Sequence, residues 1–518
     1  MPDAPSPVVP PGRAAATWLW LLLGVGALVA LMVHLVPAGS HPVGYDVFRS
    51  LWIARTWAEN GFPQTMPSAS FTGLEHHFGD QQLGFDALVA LVGGRSLDEA
   101  TVPPLIWSLV GLQGLVLWGC ARLLRRDASP LWILLLPAVS QTWMFRCTTL
   151  RTMLLSTSLV LLVVTIAARR AEDRLAVRPW WLLLVTAVFG YCHGAVVLPI
   201  VLWSLAALGA RIANGRGSLP WRDGLWVAAG VVISGTLRPD FPANLRVWAD
   251  LNLGTPWAAL QGELEVRPFE LLPLGLGDLL AIEWTFVLGG VVCAWLAWSA
   301  GARRRWPLLL PTMFMIVAAL LSRRMMELAT PLLLLYVAVS WRHRLRWWAA
   351  IAVAALGFVV HVPTAAEGAE ANRIRELEPV AAWLRERADL GDLVFVTDWG
   401  VSSPLTWYTR DQMTRFTGMI DPVFMWSHHP ELWRDWQAIK QARAPDPIGL
   451  IRERFRARFV AFSIADAAAD QPPGTTADYL RAAMAREVAA GRPIEATAVY
   501  PDRPNDPANW VVIDLQPR

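Results

Sequence analysis

Long apolar runs recur through the first 362 residues and limit the possible folds more than any other feature. A helix needs roughly 20 apolar residues, with about 17 to 25 the usual range, to cross a bilayer. Only 17% of the 518 residues are charged, against about 25% in soluble domains, which excludes a single soluble core. We predict eleven transmembrane segments: 17–36, 102–121, 130–145, 150–168, 179–192, 195–210, 224–237, 279–300, 306–321, 326–340 and 347–362.

Arginines between these segments predict their orientation. Each of five arginine clusters follows an even-numbered segment, so all five lie on one side, which should be cytoplasmic. The clusters are Arg122/Arg125/Arg126, Arg169/Arg170/Arg174, Arg211/Arg216/Arg222, Arg303/Arg304/Arg305 and Arg342/Arg344/Arg346. The N-terminal tail 1–16 is then cytoplasmic, whereas the loop 37–101 and the tail after 362 face outward. The apolar stretch 83–93 is too short to cross, and we predict a helix on the membrane face.

The tail 363–518 has the pattern of an α/β domain. An amphipathic helix is predicted over 373–388, followed by a buried strand over 393–397. Further predicted strands are 458–464, 496–500 and 510–515, and predicted helices are 431–443, 447–456 and 476–489. Strands that alternate with helices favour a layered α/β architecture.

Acidic and basic side chains follow the first segment in the outward loop. Asp46 and Arg49 lie one turn apart if that stretch is helical, so both could face one point. The acid could take a proton or hold a metal, and the arginine could bind phosphate. A solvated ion pair is the alternative for these two residues. His76, His77 and Asp80 are of types that bind metals, although adjacent histidines rarely share one ion.

A second group of ionisable residues lies at outward segment ends, against the positive-inside trend. They are Arg146 and Arg151 in the turn before the fourth segment, and Arg323, Arg324 and Glu327 before the tenth. Arginines at these places form either an anionic-ligand site or a set of side chains that reach toward lipid headgroups.

A third candidate site follows the first predicted strand of the tail. Asp398, Trp399 and Gly400 come directly after it, and ligands of α/β sheets gather at the carboxyl ends of strands. Tyr408, Arg410 and Asp421 follow closely in the sequence. A tight turn with a packed tryptophan is the alternative.

These features together resemble the GT-C superfamily of polytopic glycosyltransferases, and distantly the catalytic subunit of oligosaccharyltransferases. The resemblance lies in the first segment, the outward loop with its early Asp46 and following helix Val47–Gly61, the stretch Arg323–Pro331, and the outward C-terminal domain. Asp398-Trp399-Gly400 is similar in place to the WWDYG motif of that group. The implied fold is a polytopic α-helical, GT-C-like membrane domain over 17–362, followed by the α/β domain.

The resemblance implies transfer of a sugar from a polyprenyl-phosphate donor to an extracytoplasmic protein, lipid or glycan acceptor. Asp46 would act as the base or orient the acceptor. The donor phosphate would be bound by arginines: Arg49, Arg146, Arg151, Arg323 and Arg324. Acceptor or accessory roles would fall to His76, His77, Asp80, Glu327, Asp398, Trp399 and Gly400.

Departures from the family pattern leave other questions open. The turn 146–151 lacks the acidic pair with which oligosaccharyltransferases help to hold a metal. Dependence on Mg²⁺ or Mn²⁺ therefore stays open, with Asp46 and Asp80 as candidate ligands. The net charge of +3 gives no reason to expect a nucleic-acid partner. The arginine-rich composition and the resemblance favour a bacterial inner membrane.

Three other functions remain as alternatives. A polymerase or ligase of lipid-linked glycans would share the arginines without needing Asp46. A non-catalytic assembly subunit would use the tail to bind a partner in the cell envelope, and its candidate site residues would lie scattered. A transporter is disfavoured, since we find no paired, interrupted helices in matching halves.

Overall fold

The computed structural model describes residues 11–172, 177–214, 221–263, 273–299, 305–341, 346–374, 377–412, 414–417, 421–467, 471–499 and 510–516. Some predicted features lie outside these residues. They are residues 1–10 of the N-terminal tail, the last position of the 279–300 segment, Tyr500 of a predicted strand, and the cluster arginines Arg174, Arg216, Arg303, Arg304, Arg342 and Arg344.

Helices dominate the chain up to residue 371. In chain order they are α1 Pro11–Leu35, α2 Asp46–Asn60, α3 Leu83–Gly93, α4 Val102–Leu124, α5 Leu136–Val139, α6 Gln141–Arg146, α7 Met153–Glu172, α8 Trp180–Cys192, α9 Leu198–Asn214, α10 Trp221–Thr236, α11 Ala243–Ala249, α12 Thr255–Leu260, α13 Leu276–Ala281, α14 Trp284–Trp298, α15 Trp306–Leu321, α16 Met326–Ser340 and α17 Trp347–Ala371.

Four of these helical stretches are long and apolar enough to cross a membrane. They are Ala15–Leu35, Glu99–Leu124, Met153–Glu172 and Trp347–Ala371. The other predicted segments correspond to shorter helices, several of which are equally apolar. At about 1.5 Å per residue, a 15-residue helix such as α16 is shorter than the hydrocarbon core of about 30 Å. The number of crossings therefore stays a prediction.

The prediction of one continuous helix over 130–145 is wrong. This stretch forms a 3₁₀ helix, Pro130–Leu135, and then α5 and α6, which are separated at Ser140. Ser140 has an extended backbone, and its hydroxyl accepts a hydrogen bond from Trp143 N, so it caps a new helix. The interruption turns α6 so that it can present Arg146 to α16.

Helix α16 lies at the centre of the helical part. All 15 of its residues are buried, and it packs against α4, α7, α14 and α15. Five of these residues are leucines, and Glu327 forms a buried ion pair with Arg146. An apolar helix that is buried on every side forms the core around which the other helices pack.

The tail forms the predicted α/β arrangement. Its helices are α18 Leu377–Arg387, α19 Ser402–Tyr408, α20 Pro422–His428, α21 Pro430–Lys440, α22 Pro447–Glu453 and α23 Thr475–Ala489. The strands of its sheet are β1 Ala69–Ser70, β2 Leu393–Val396, β3 Arg415–Thr417, β4 Phe459–Ser463, β5 Glu495–Val499 and β6 Trp510–Asp514.

The strand order is β1-β3-β2-β4-β6-β5. Strands β1 to β4 are parallel, and β6 pairs antiparallel with both β4 and β5. Strand β1 comes from the first outer loop, so that loop completes the sheet of the tail. A bridge between Val43 and Arg373 ties the same two regions together. Helix α17 also continues past the predicted boundary at 362, and the division into domains stays a prediction.

Candidate functional site

A cleft lies where the first outer loop, the turn before α7, the end of the α15–α16 connection and the tail meet. Its lining side chains are mostly polar. They are Asp46, Arg49, Gln81, Gln82, Leu150, Arg151, Thr152, Met153, Leu251, Arg324, Trp399, Ser403 and Asp421. Segments that are up to 375 positions apart in sequence thus contribute to one concave surface.

Asp46 is the exposed carboxylate of this cleft. It is the first residue of α2, and Tyr45 precedes it without a side-chain cap. Arg151 Nη2 lies 2.6 Å from Asp46 Oδ2; the arginine side chain is 10% exposed and the aspartate side chain 57%. A largely buried guanidinium therefore holds one side of a carboxylate whose remainder is accessible to a ligand.

Arg49 lies one turn further along α2 and is buried. Its Nη2 donates to Asp80 Oδ1 at 2.7 Å, and its Nη1 lies 3.6 Å from Asp86 Oδ2. Burial alone would lower the pKa of Arg49, but the carboxylates of Asp80 and Asp86 raise it above its ordinary value. Burial and the nearby Asp80 raise the pKa of Asp86 well above its usual range. One guanidinium thus faces two carboxyl groups, and burial beside Asp80 favours the protonated form of Asp86.

Asp80 is held from several directions. Its backbone N–H donates to Asp240 Oδ2 at 2.8 Å, and Arg238 donates to its carbonyl while pairing with Asp240. All of these groups are buried. The structure therefore places Asp80 below the cleft, in a network that fixes Arg49, and not on the cleft surface beside Asp46.

The arginines that are predicted to face outward divide into two sets. Arg151 and Arg324 line the cleft. Arg146 forms a buried ion pair with Glu327, and Arg323 pairs with Asp278. The predicted group is thus only partly brought together, since the members of the second set stabilise contacts between helices.

The tail contributes through residues that follow β2. Asp398 Oδ1 accepts a hydrogen bond from Gly400 N at 2.9 Å, and burial raises the pKa of Asp398 above its usual value. Trp399 lines the cleft. A Cβ on Gly400 would lie 2.8 Å from Tyr45 Cδ2, closer than side-chain atoms normally approach. Of the three motif residues, one shapes the turn, one faces the cleft and one allows contact with the residue before Asp46.

The adjacent histidines lie elsewhere. His76 and His77 are exposed, and His77 lines a different cavity with Arg246, Asp250 and Phe424. The structure does not bring either histidine to the cleft.

Eight cleft residues were not predicted as site residues. Four are Leu150, Thr152, Met153 and Leu251, and the other four are Gln81, Gln82, Ser403 and Asp421. Asp421 carries a local signal, because an Asp before a proline is typical of a helix N-cap, and its carboxylate caps α20 at Val423 N. The sequence near Gln81, Gln82 and Ser403 has no comparable signal.

The side chains around Asp46 do not fit a protein-built divalent metal site. Within the described ranges, no three His, Cys, Asp or Glu side chains gather as metal ligands would. Arg151 occupies one oxygen of Asp46, and Arg49 occupies one oxygen of Asp80. Mg²⁺ and Mn²⁺ prefer oxygen ligands, whereas this donor set is paired with guanidinium groups.

The cleft is lined by three arginines. Arg49 is paired with the buried Asp80, Arg151 contacts the exposed Asp46, and Arg324 lines the same surface. A concave surface with several convergent arginines suits a phosphate-bearing ligand, because guanidinium groups bind phosphate oxygens in pairs.

Solved structures of glycosyltransferases share this architecture. ArnT from Cupriavidus metallidurans aligns over 97% of this chain and 98% of its own, with 14% identity and a TM-score of 0.57. The oligosaccharyltransferase AglB from Archaeoglobus fulgidus, in complex with an inhibitory peptide and a dolichol-phosphate, aligns over 86% of this chain and 69% of its own, with 12% identity and a TM-score of 0.58.

The arabinofuranosyltransferase AftD from Mycobacteria aligns over 96% of this chain but only 40% of its own, with 15% identity and a TM-score of 0.51. All three are GT-C glycosyltransferases. The chain has the GT-C fold. No protein-family model matches the sequence, and a comparison with curated proteins finds no relative. The likeness is thus one of fold, as the resemblance in the sequence predicted.

Proposed function

We propose that this protein is a membrane glycosyltransferase that transfers a sugar from a polyprenyl-phosphate-linked donor to an extracytoplasmic acceptor. One observation carries the proposal: Asp46, Arg151, Arg324 and Trp399 line a single cleft in a GT-C fold. An assembly subunit would have no need to bring these residues together. The structural neighbours support the same chemistry, since AglB was solved with a dolichol-phosphate.

Asp46 is proposed as the general base or the group that orients the acceptor. In this mechanism an acceptor hydroxyl or amide attacks the anomeric carbon of the sugar, and its proton passes to the Asp46 carboxylate. The bond between that carbon and the phosphate oxygen breaks at the same time. The exposure of Asp46 supports this role, because a base must lie within hydrogen-bond reach of the proton it accepts.

Arg151 and Arg324 are proposed to stabilise the polyprenyl-phosphate leaving group. Both line the cleft, and Arg151 is held in place by its ion pair with Asp46. Fixed positive charge near developing negative charge is usually the largest catalytic contribution. Because the side chains around Asp46 do not suit a divalent metal, the arginines are the groups that stabilise the developing charge in this mechanism.

The proposed topology has eleven crossings, a cytoplasmic N-terminus, and the loop 37–101 and the tail outside a bacterial inner membrane. The pairing of β1 with β3 supports a common side for the loop and the tail. A polymerase or ligase of lipid-linked glycans remains the second candidate function, because it would use the same arginine-lined cleft. It differs in having no requirement for Asp46.

The test is a transfer assay in proteoliposomes that contain a panel of polyprenyl-phosphate sugars and candidate acceptors. We expect wild type to consume at least one donor, and Asp46→Asn to lower the rate roughly 10²- to 10⁴-fold, the usual contribution of a general base.

Asp127→Asn is the matched control, since Asp127 is also an exposed carboxylate, 2.7 Å from a more buried arginine, Arg125. It lies away from the cleft and should retain the wild-type rate. An unimpaired Asp46→Asn enzyme would refute the role of Asp46 and favour the polymerase or ligase. No donor consumption by wild type would contradict the proposed function.

A further inference from the structure

A second polar cavity lies along the C-terminal part of α2. It has a volume of about 280 Å³ and is lined from α2 by Trp52, Arg55, Thr56, Glu59 and Asn60, and from the loop and tail by Pro67, Ser68, Thr406, Thr409, Arg410, Asp411 and Thr414. The α2 residues are spaced at i, i+3, i+4, i+7 and i+8, so they form one stripe of the helix. None of the lining residues is shared with the first cleft.

The charges of this cavity cancel. Arg55 pairs with Glu59 one turn away, and Arg410 is adjacent to Asp411. Two arginines and two carboxylates sum to zero, in contrast to the arginine-rich cleft around Asp46. A neutral ligand therefore suits this cavity better than a phosphate.

Five of the twelve residues that line the cavity carry hydroxyl groups. Ser68 and three of the four lining threonines are at most 6% exposed, the fourth being Thr56. Within the described residues, Ser68 Oγ and Thr414 Oγ1 have no hydrogen-bond partner. Buried hydroxyls that lack partners are costly, and each can both donate and accept a hydrogen bond. A ligand that carries many hydroxyl groups would satisfy both.

Trp52 gives the cavity an aromatic wall. It is half-buried and packs against two apolar clusters, so its ring is held in place. Ligand sites commonly combine an aromatic surface with a few fixed polar groups. A sugar ring matches such a site, because its C–H face is apolar and can lie on the aromatic ring, while the hydroxyls at its edge can bind the polar groups.

We propose that this cavity is a binding subsite for a neutral saccharide. Its distance from the cleft is suited to an extended glycan: at about 1.5 Å per residue, Trp52 lies about 9 Å and Asn60 about 21 Å along α2 from Asp46. This assignment rests on the proposed function, because the saccharide would be part of a reactant of the sugar transfer. It is either part of a glycan acceptor or a distal sugar of the lipid-linked donor.

Binding is tested on an array of neutral oligosaccharides and their sulfated counterparts, with the full-length protein in lipid nanodiscs. We expect wild type to bind neutral oligosaccharides. Asn60→Ala and Thr414→Val should each weaken that binding roughly five- to tenfold, as the loss of one hydrogen bond does. Asn60 is exposed, so its substitution should leave folding intact. Asp478→Ala, an exposed substitution on α23, is the control and should bind as wild type.

The array measures binding without transfer, so a protein that binds neutral oligosaccharides but consumes no donor would refute the proposed function and not this subsite. In the transfer assay, Thr414→Val should raise the KM of the acceptor if the saccharide is acceptor, and the KM of the donor if it belongs to the donor. Absence of neutral-oligosaccharide binding by wild type, binding of sulfated sugars alone, or normal binding by both cavity variants would overturn the proposal.

Discussion

At the scale of single residues, the position of Asp46 depends on a contact between the first loop and the tail. Gly400 lies against Tyr45, the residue that precedes Asp46. The absence of a side chain at Gly400 permits this approach, and the hydrogen bond from its N–H to Asp398 fixes the turn. Gly400 is therefore a positioning residue, which acts on the cleft through Tyr45.

Gly400→Ala should displace Tyr45 and with it the start of α2. A misplacement of about 1 Å in an active site can cost roughly a hundredfold in rate, so we expect transfer to fall by about ten- to a hundredfold. The measurement is the transfer rate together with the apparent Tm. Gly119→Ala is the control, because a Cβ there meets no atom within 4 Å. A Gly400→Ala protein with wild-type transfer would show that this contact does not position Asp46.

The sequence predicts neighbours on one helix more readily than it predicts long-range partners. Asp46 and Arg49 both line the cleft, yet Arg49 pairs with Asp80 and Asp86, whereas Asp46 pairs with Arg151. Local spacing constrains residues one turn apart on a helix, but Asp46 and Arg151 are 105 positions apart in sequence. Their contact depends on the packing of the loop onto the helices.

At the scale of elements, the buried charge network joins α2 to α3. Arg49 on α2 faces Asp80 before α3 and Asp86 within it, and Gln82 Nε2 donates to Asp86 Oδ1 at 3.3 Å. Removal of one partner from a buried ion pair leaves an uncompensated charge, which is more costly than the loss of an exposed pair.

Asp80→Asn should therefore lower the free energy of unfolding by about 3 kcal/mol, whereas Asp86→Asn should stay within about 1 kcal/mol of wild type. The difference arises because asparagine resembles the protonated form that the raised pKa of Asp86 favours. Thermal unfolding of both variants in detergent measures it. Equal destabilisation by the two substitutions would contradict this division of charge.

The pH dependence of the free energy of unfolding follows from the raised pKa of Asp86. The folded state binds the Asp86 proton more tightly than the unfolded state, where the pKa is about 3.9. The contribution of Asp86 to stability is thus greatest at low pH and falls as the pH rises from that value to the raised pKa. In the Asp86→Asn variant, the free energy of unfolding should not show this fall between the unfolded-state pKa and the raised pKa.

Elements with strong patterns were predicted from the sequence, and elements formed by long-range pairing were not. The apolar runs of β2, β4 and β6 predict strands, and the structure confirms these elements. Strand β1 has only two residues and β3 only three, so neither has a detectable pattern. Both strands depend on pairing with segments that are distant in sequence, since β3 lies between β1 and β2 in the sheet. The break at Ser140 was missed for a related reason: a helix cap inside an apolar run leaves the composition unchanged.

At the scale of the whole molecule, the loop 37–101 and the tail form one body at the helix ends that are predicted to face outward. Strand β1 completes the sheet, Tyr45 packs on Gly400, and residues of both regions line both polar cavities. The first cavity is lined by several arginines, and the second is neutral and rich in hydroxyls. This arrangement is consistent with the proposal that the protein holds a lipid phosphate in the cleft and a saccharide about two to four helical turns away.

The central claim is that the cleft around Asp46 binds a lipid phosphate, and photocrosslinking tests it most directly. Leu251 in the cleft wall is replaced by benzoylphenylalanine, and the protein is illuminated in proteoliposomes with radiolabelled polyprenyl phosphate. Trp298→benzoylphenylalanine is the control for contact with bulk lipid, because Trp298 is 92% exposed on α14.

We predict an adduct at position 251 that unlabelled polyprenyl phosphate displaces and that Arg151→Gln abolishes, while any adduct at position 298 is not displaced. An adduct at position 251 that is no more displaceable than the one at 298, or that persists unchanged in Arg151→Gln, would contradict the assignment of the cleft to the donor phosphate.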